Sequence, residues 1–182
     1  MPVYNAQAYL PAALDSIMKQ SYEKWELIIV NDCSTDDSVK IIKKYKALHP
    51  RKIKLVDLNT NLNAGGDTAT NLGIPHAKGE LIAKMDADDV AHPQRLEKQV
   101  QYLLDHPNVD VVGTNAIVIN ANGDIIGDKT VPITHDEIYK EYIYFHPMIH
   151  PTIMFRRKLV KRNSFYQIKY DLANDYYTLF RV

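Results

Sequence analysis

The stretch Lys84-Met85-Asp86-Ala87-Asp88-Asp89-Val90 decides how the rest of the chain is read. A short apolar run, Leu81-Ile82-Ala83, precedes it, and His92-Pro93 and an amphipathic segment follow. Three carboxylates therefore sit where a strand ends and a loop begins. Carboxylates so close repel one another unless a cation neutralises them. Hard divalent ions such as Mg²⁺ or Mn²⁺ take oxygen ligands and keep part of their shell for water and phosphate. In Asp86-x-Asp88 two side chains share one side of an extended segment. Helix capping is the competing explanation, and Asp89 is expected to cap the helix that Pro93 opens. Capping leaves Asp86 unexplained, because it lies too far upstream.

Working toward the amino end, the chain alternates between strands and helices. Met1 to Asn5 reads as a strand tail entering a loop. Leu10, Ala13, Leu14, Ile17 and Met18 have helical spacing, with Pro11 in the first turn. Trp25 to Val30 has strand length, and Asn31 to Ser38 is a polar loop. Val39, Ile42, Tyr45 and Leu48 mark a second helix, and Ile53 to Leu58 a third strand. This is the rhythm of parallel βαβ units, in which ligands bind beyond the carboxyl ends of the strands. Three polar loops fall at such ends: Tyr4-Asn5, Asn31 to Asp37, and Asp86 to Asp89. Taken alone, Asp32 would read as an Asx turn and Tyr4 as a core-edge aromatic. Gly65-Gly66 before a helix permits close backbone approach to an anion. Ala69 and Gly73 permit close packing of that helix on the sheet, and Pro75 should stop it.

Toward the carboxyl end, Pro93 to Asp105 is expected to be a helix with Leu96, Val100, Leu103 and Leu104 inward. Val109 to Thr114 reads as a strand. Asn122-Gly123 signals a hairpin between Ala116–Ile119 and Ile125-Ile126. Thr134 and Glu137 form a capping box for a helix through about Tyr144. Met148 to Phe155 is expected to include a strand, and Lys158 to Lys161 a short helix. Lys84 is expected to point to solvent. His150 has two readings, one as part of a site and one structural, bonded to backbone. Cys33 reads as a small packing residue.

Composition narrows the class. The 182 residues suit one domain with a full-sized core. Lys+Arg and Asp+Glu are both 22, so net charge gives no pull toward nucleic acid. One cysteine excludes an internal disulfide and a multi-cysteine zinc site. There is neither a transmembrane-length apolar run nor a signal-peptide pattern.

These motifs, in order and spacing, resemble a family-2 glycosyltransferase of the GT-A fold. The matching stretches are Pro2-Val3-Tyr4-Asn5, Val30 to Asp36, Asn63-x-Gly65 with Ala69-x-Asn71-x-Gly73, and Gly79-Glu80 leading to Asp86-Ala87-Asp88-Asp89. They continue in Pro93-x-Arg95-Leu96-Glu97-Lys98-Gln99, Val111-Val112-Gly113, His150 to Arg156, and Asn174-Asp175-Tyr176 with Arg181. The resemblance implies an α/β fold, with a Rossmann-like, mostly parallel sheet flanked by helices and a small antiparallel hairpin region. It makes 1–114 the nucleotide-binding half and 115–182 the acceptor-side half of one domain expected to be clipped at both ends.

The same resemblance implies an inverting, Mn²⁺- or Mg²⁺-dependent transfer from a nucleotide-sugar donor, UDP-linked by preference. The acceptor would be a glycan or lipid-linked sugar, in cell-surface polysaccharide synthesis. Pro2, Val3, Tyr4, Asn5, Asp32, Asn63, Gly65, Asp86 and Ala87 would bind the nucleotide sugar. Asp86 and Asp88 would hold the metal, and Asp175 would be the catalytic base. The location implied is cytoplasmic, at the inner membrane face. Thr70 stands where the family often has Arg, Asn174 where it has Glu, and Leu179 where it has Trp. No Gln-x-x-Arg-Trp motif supports processive synthesis. Two rival readings are a GT-A core that binds nucleotide without completing transfer, and a nucleotidyltransferase.

Overall fold

Strand-length apolar runs alternate with amphipathic helices in the first half of the chain, and the computed structural model follows that alternation. It describes residues 1–62, 65–170 and 173–182. Strand β1 (Pro2–Val3), helix α1 (Leu10–Met18), strand β2 (Leu27–Asn31), helix α2 (Ser38–Leu48) and strand β3 (Ile53–Asp57) come first. The three strands form a parallel sheet in the order β1-β2-β3, with Val3 opposite Asn31 and Asn31 opposite Asp57. Their carboxyl ends, and hence their polar loops, open on one edge.

Helix α3 (Gly65–Gly73) runs into a 3-10 turn at Ile74–His76, where Pro75 ends the α-helical hydrogen bonding. A Cβ added at Gly73 would come within 2.9 Å of Val30 Cγ2, so α3 lies against β2 because position 73 lacks a side chain. Gly73→Ala is expected to cost about 1–3 kcal/mol through overpacking, less the gain in helix propensity. A fall in the urea midpoint checks it; a rise would show that the contact gives way freely.

Strand β4 (Leu81–Ala83) is followed by helix α4 (Arg95–Asp105), strand β5 (Val111–Val112), strands β6 (Ala116–Ile119) and β7 (Ile125–Lys129), and helix α5 (His135–Glu141). Strand β8 (Met154–Arg156) and helix α6 (Asn174–Phe180) complete the described elements. β8 lies between β4 and β5 and is antiparallel to both. The segment before the acidic loop is thus held in an antiparallel ladder. Gly123, at φ +87°, turns the β6–β7 hairpin.

Several local expectations need correction. Leu104 is 65% exposed, and the inward face of α4 is Leu96, Gln99 and Leu103. Buried Gln99 is satisfied by carbonyls: its Nε2 donates to Thr152 O at 2.8 Å. Asp89 does not cap α4, whose N-cap is Gln94. A helical amide is satisfied from a distance instead, Leu96 N donating to Gln20 Oε1 at 3.0 Å. Gln20 Nε2 also donates to His92 O at 2.8 Å, tying the segment after the acidic loop to the end of α1. The capping box at Thr134 and Glu137 forms as expected, but α5 stops at Glu141. His150–Thr152 is a 3-10 turn leading into β8, and the expected short helix at 158–161 is a 3-10 turn at Arg157–Leu159.

One apolar cluster joins Val3, Leu10, Leu14, Ile29 and Ile42 to Met85 and Ala87. The acidic loop is therefore seated on the same core as β1. A second cluster packs Phe155, Phe165, Tyr166 and Leu179 together, bringing α6 against β8.

Candidate active site

The first two loops are stitched edge to edge. Asn5 adopts φ +48°, a left-handed conformation that Asn tolerates better than most residues. Its amide donates to Ser34 Oγ at 3.0 Å, and its Oδ1 accepts from Thr35 N at 2.8 Å. Gln7 N donates to Asp36 Oδ2 at 3.0 Å, and Gln7 Oε1 accepts from Asp37 N at 2.9 Å. Tyr4 stands exposed on this rim. Asp32 is buried beneath it, its amide donating to Val3 O and its Oδ1 accepting from Leu62 N, both at 2.8 Å. Pro2, Val3, Tyr4, Asn5 and Asp32 thus form one edge.

The amino end of α3 reaches the same edge. Gly65 begins the helix, and a Cβ at Gly66 would lie 3.2 Å from Pro2 Cγ. Asn63 lies outside the described residues.

In the acidic loop Met85 and Ala87 face the core, and Asp88 and Asp89 lie on the surface. Lys84 does not point to solvent: its side chain is 2% exposed and pairs with Asp86 Oδ1. Partial desolvation, and then the charges of Asp86 and Asp88, hold the Asp89 carboxyl above its ordinary range. Arg95 braces the loop. Its Nη2 donates to Lys84 O at 2.6 Å and to Pro151 O at 3.0 Å. Burial pushes the guanidinium down to about 10, so it stays cationic at neutral pH.

His150 touches groups from both halves of the chain. Its Nε2 is 2.7 Å from Tyr166 Oη and 3.5 Å from Asp67 Oδ1, and its Nδ1 is 3.7 Å from Asp175 Oδ2. Burial, and then the Lys84 ammonium, push His150 down to about 4, so the ring is neutral at pH 7. His146 lies on the same carboxylate, Nε2 3.7 Å from Asp175 Oδ2, and burial lowers its pKa too. Asp175 is in the first turn of α6 and accepts from Tyr176 N at 2.8 Å through Oδ1. Asn174 Oδ1 accepts from Lys169 N and Tyr170 N, both at 2.9 Å, which fixes the approach to that turn.

Asp86 belongs to this group electrostatically, since its charge acts on Asp67, His150 and Tyr166. From the sequence-derived set the geometry brings Asp175 and His150 together, and Asp86 reaches the imidazole through its charge. The geometry adds Asp67, His146 and Tyr166, which the sequence reading did not single out, and it turns inward Lys84, which was expected to face solvent. None of these placements had a signal that a window of sequence carries: Leu81 and Ile82 are both half-buried and adjacent Lys84 and Met85 are both buried, so no strand phase marks Lys84 as inward. A shallow hollow of about 420 Å³ lined by Gln7, Asp37 and Lys40 contains none of these groups. The candidate site is therefore identified by its side chains.

A divalent ion fits the donor chemistry of the acidic turn, where carboxylates outnumber the one lysine that offsets them. Among the described residues no group of three or more His, Cys, Asp or Glu is arranged to hold a metal. Two protein carboxylates, with phosphate and water filling the remaining positions, are within the habits of Mg²⁺ and Mn²⁺.

Comparison with known proteins agrees with this architecture. The family model described as Glycosyl transferase family 2 matches residues 1–163. EpsE of Bacillus subtilis (strain 168), a provisionally assigned glycosyltransferase, is 38% identical over 157 residues, covering 86% of this chain and 54% of the relative. WfgD of Escherichia coli is 31% identical over 142 residues, covering 77% and 53%. It is described as a UDP-Glc:alpha-D-GlcNAc-diphosphoundecaprenol beta-1,3-glucosyltransferase. Crystal structures of Staphylococcus aureus TarS 1-349 with UDP and with UDP-GlcNAc each align with a TM-score of 0.74 at 26% identity. They cover 97% of this chain and 52% or 50% of TarS 1-349. The chain thus spans about half the length of these relatives, and its fold is GT-A.

Proposed function

The chain belongs to glycosyl transferase family 2, and from that premise we propose that it carries the catalytic core of an inverting, metal-dependent transferase. The donor is a UDP-sugar. The acceptor is a hydroxyl on a glycan or lipid-linked sugar, handled at the inner membrane face during cell-surface polysaccharide synthesis. The observation that carries this reading is one neutral, half-buried imidazole that Asp175 faces at 3.7 Å and on which the charge of Asp86, from the other half of the chain, acts. Support for the donor and the acceptor class comes from TarS, solved with UDP and UDP-GlcNAc, and from the lipid-linked acceptor in the description of WfgD. Among the described residues no helix is long and apolar enough to cross a membrane.

In this reading Tyr4 lies against the base and Asp32 accepts a hydrogen bond from it. The amino end of α3, at Gly65, faces the diphosphate, where helix amides favour anions. Asp88 and Asp86 would hold the divalent ion, which would supply positive charge to offset the negative charge building on the departing diphosphate. Lys84 keeps Asp86 from adding an unbalanced charge. Asp175 takes the proton of the acceptor hydroxyl as its oxygen attacks the anomeric carbon. His146 and His150, uncharged, border the carboxylate without neutralising it. One attack opposite the leaving group inverts the anomeric centre.

The test is calorimetric titration of UDP and UDP-sugars with and without Mn²⁺. Wild-type protein should bind more tightly with the ion, and Asp88→Ala should lose that increment while keeping its ion-free affinity. Equal affinity with and without Mn²⁺ in the wild type would remove the metal from the proposal. No binding of any UDP ligand would remove the donor.

A further inference from the structure

We propose that Asp67 is the residue that reads the transferred sugar, its carboxylate receiving hydroxyl groups of a neutral hexosyl or N-acetylhexosaminyl donor and turning away uronosyl donors. The inference rests on the function proposed above.

Asp67 is held firmly. It lies in the first turn of α3, whose start is pressed against Pro2 through Gly66 and whose end is pressed against Val30 through Gly73. Acidic side chains in that turn commonly cap the helix or stay in water. This one does neither: its side chain is 16% exposed, and among the described residues no hydrogen bond reaches its carboxylate. The nearest partner is His150 Nε2 at 3.5 Å, and that nitrogen is already 2.7 Å from Tyr166 Oη. A carboxylate has about four acceptor sites. Removing one from water with so little in return is costly, and the cost is recovered when a ligand brings donors.

Its position says which part of a ligand that is. One edge of the His150 ring faces Asp67 and another faces Asp175, and the charges of Asp175 and Asp86 both act on Asp67. In an in-line displacement the transferred sugar lies between the leaving diphosphate and the base. Asp67 stands among the groups assigned to those two ends. Sugar hydroxyls donate; a uronate ring presents a second negative charge to a site that already holds Asp67, Asp86 and Asp175.

The loss of solvation, and then the Asp175 charge, raise the Asp67 carboxyl to about 6 from 3.8. An acid raised in this way favours the fold below its unfolded value and loses that benefit as pH climbs through the folded value. Ligand-free Asp67→Asn should therefore melt higher than wild type at pH 8 and alike at pH 4. A residue kept for structure would show the opposite sign.

The experiment is titration of UDP, UDP-glucose, UDP-N-acetylglucosamine and UDP-glucuronate into wild type, Asp67→Asn and Asp67→Ala, with Mn²⁺ present. Melting curves of the three ligand-free proteins accompany it. Affinity for UDP should be the same in all three. Affinity of the best neutral UDP-sugar should fall roughly 10- to 100-fold in Asp67→Ala, as for loss of a hydrogen bond to a charged group. UDP-glucuronate should bind better to Asp67→Asn than to wild type. If UDP and UDP-sugar weaken in parallel, or if neither changes, Asp67 does not read the sugar and the proposed function stands. If wild type binds none of the four, both proposals fall together.

Discussion

Asp175→Asn is expected to lower kcat by about 10²–10⁴, the usual worth of a positioned general base, while leaving the affinity for UDP-sugar unchanged. The substitution is close to isosteric. The carboxamide introduced there can keep the short contact to Tyr176 N through its carbonyl oxygen, so the first turn of α6 retains its shape. What is lost is the lone-pair basicity on the oxygen that faces His146 and His150, each 3.7 Å away. Neither histidine can take over. Burial holds both below the ordinary imidazole range, His150 to about 4, so each is a weaker base than a free imidazole. For the same reason an imidazole near its usual value should be missing from the pH–rate profile. Single-turnover transfer, measured beside equilibrium binding of the donor, separates the two effects. Wild-type turnover in Asp175→Asn would end the base assignment. Loss of donor binding along with turnover would make Asp175 a structural residue.

The parts of the site legible in the sequence are those written in local periodicity. Tyr4-Asn5 and Asn31 to Asp37 could be placed on one edge because each follows a strand-length apolar run, and parallel β1 and β2 carry them there, whereas the acidic loop leaves β4, which pairs antiparallel with β8 in a separate sheet. Gly73 was readable because a small residue there allows close helix–sheet packing, and Val30 is what it packs on. The failures share another cause. Gln99 replaces Leu104 on the inward face of α4 because Thr152 O, 53 positions away, accepts its amide hydrogen. The α4 terminus needs no Asp89 because Gln20, 76 positions from Leu96, supplies the acceptor. Asp67, His146 and Tyr166 acquire meaning only around His150 and Asp175. A polar residue becomes inward-facing when a distant segment satisfies it, and no local pattern records that partner.

Lys84→Met is expected to destabilise the ligand-free protein by about 3 kcal/mol, at the low end for leaving one member of a buried ion pair behind. Charge had suggested an outward lysine, yet its side chain is 2% exposed. Methionine fills much of that volume without strain. Arg95 binds the carbonyl of Lys84 rather than its side chain, so the backbone keeps its anchor. The loss therefore reports on charge. Asp86, 34% exposed, is left among the charges of Asp89 and Asp67, offset by Arg95 and the amino terminus, and partial hydration keeps the penalty from reaching its upper range. A divalent ion should then do what the ammonium did. Mn²⁺ is expected to raise the urea midpoint of Lys84→Met more than that of wild type, because ion and lysine compete for one carboxylate. Equal stabilisation of both proteins would mean that Asp86 pairs with Lys84 alone and that the ion, if bound, sits elsewhere on the turn. Wild-type stability in the variant would mean that the buried ammonium contributes nothing to holding the acidic loop in place.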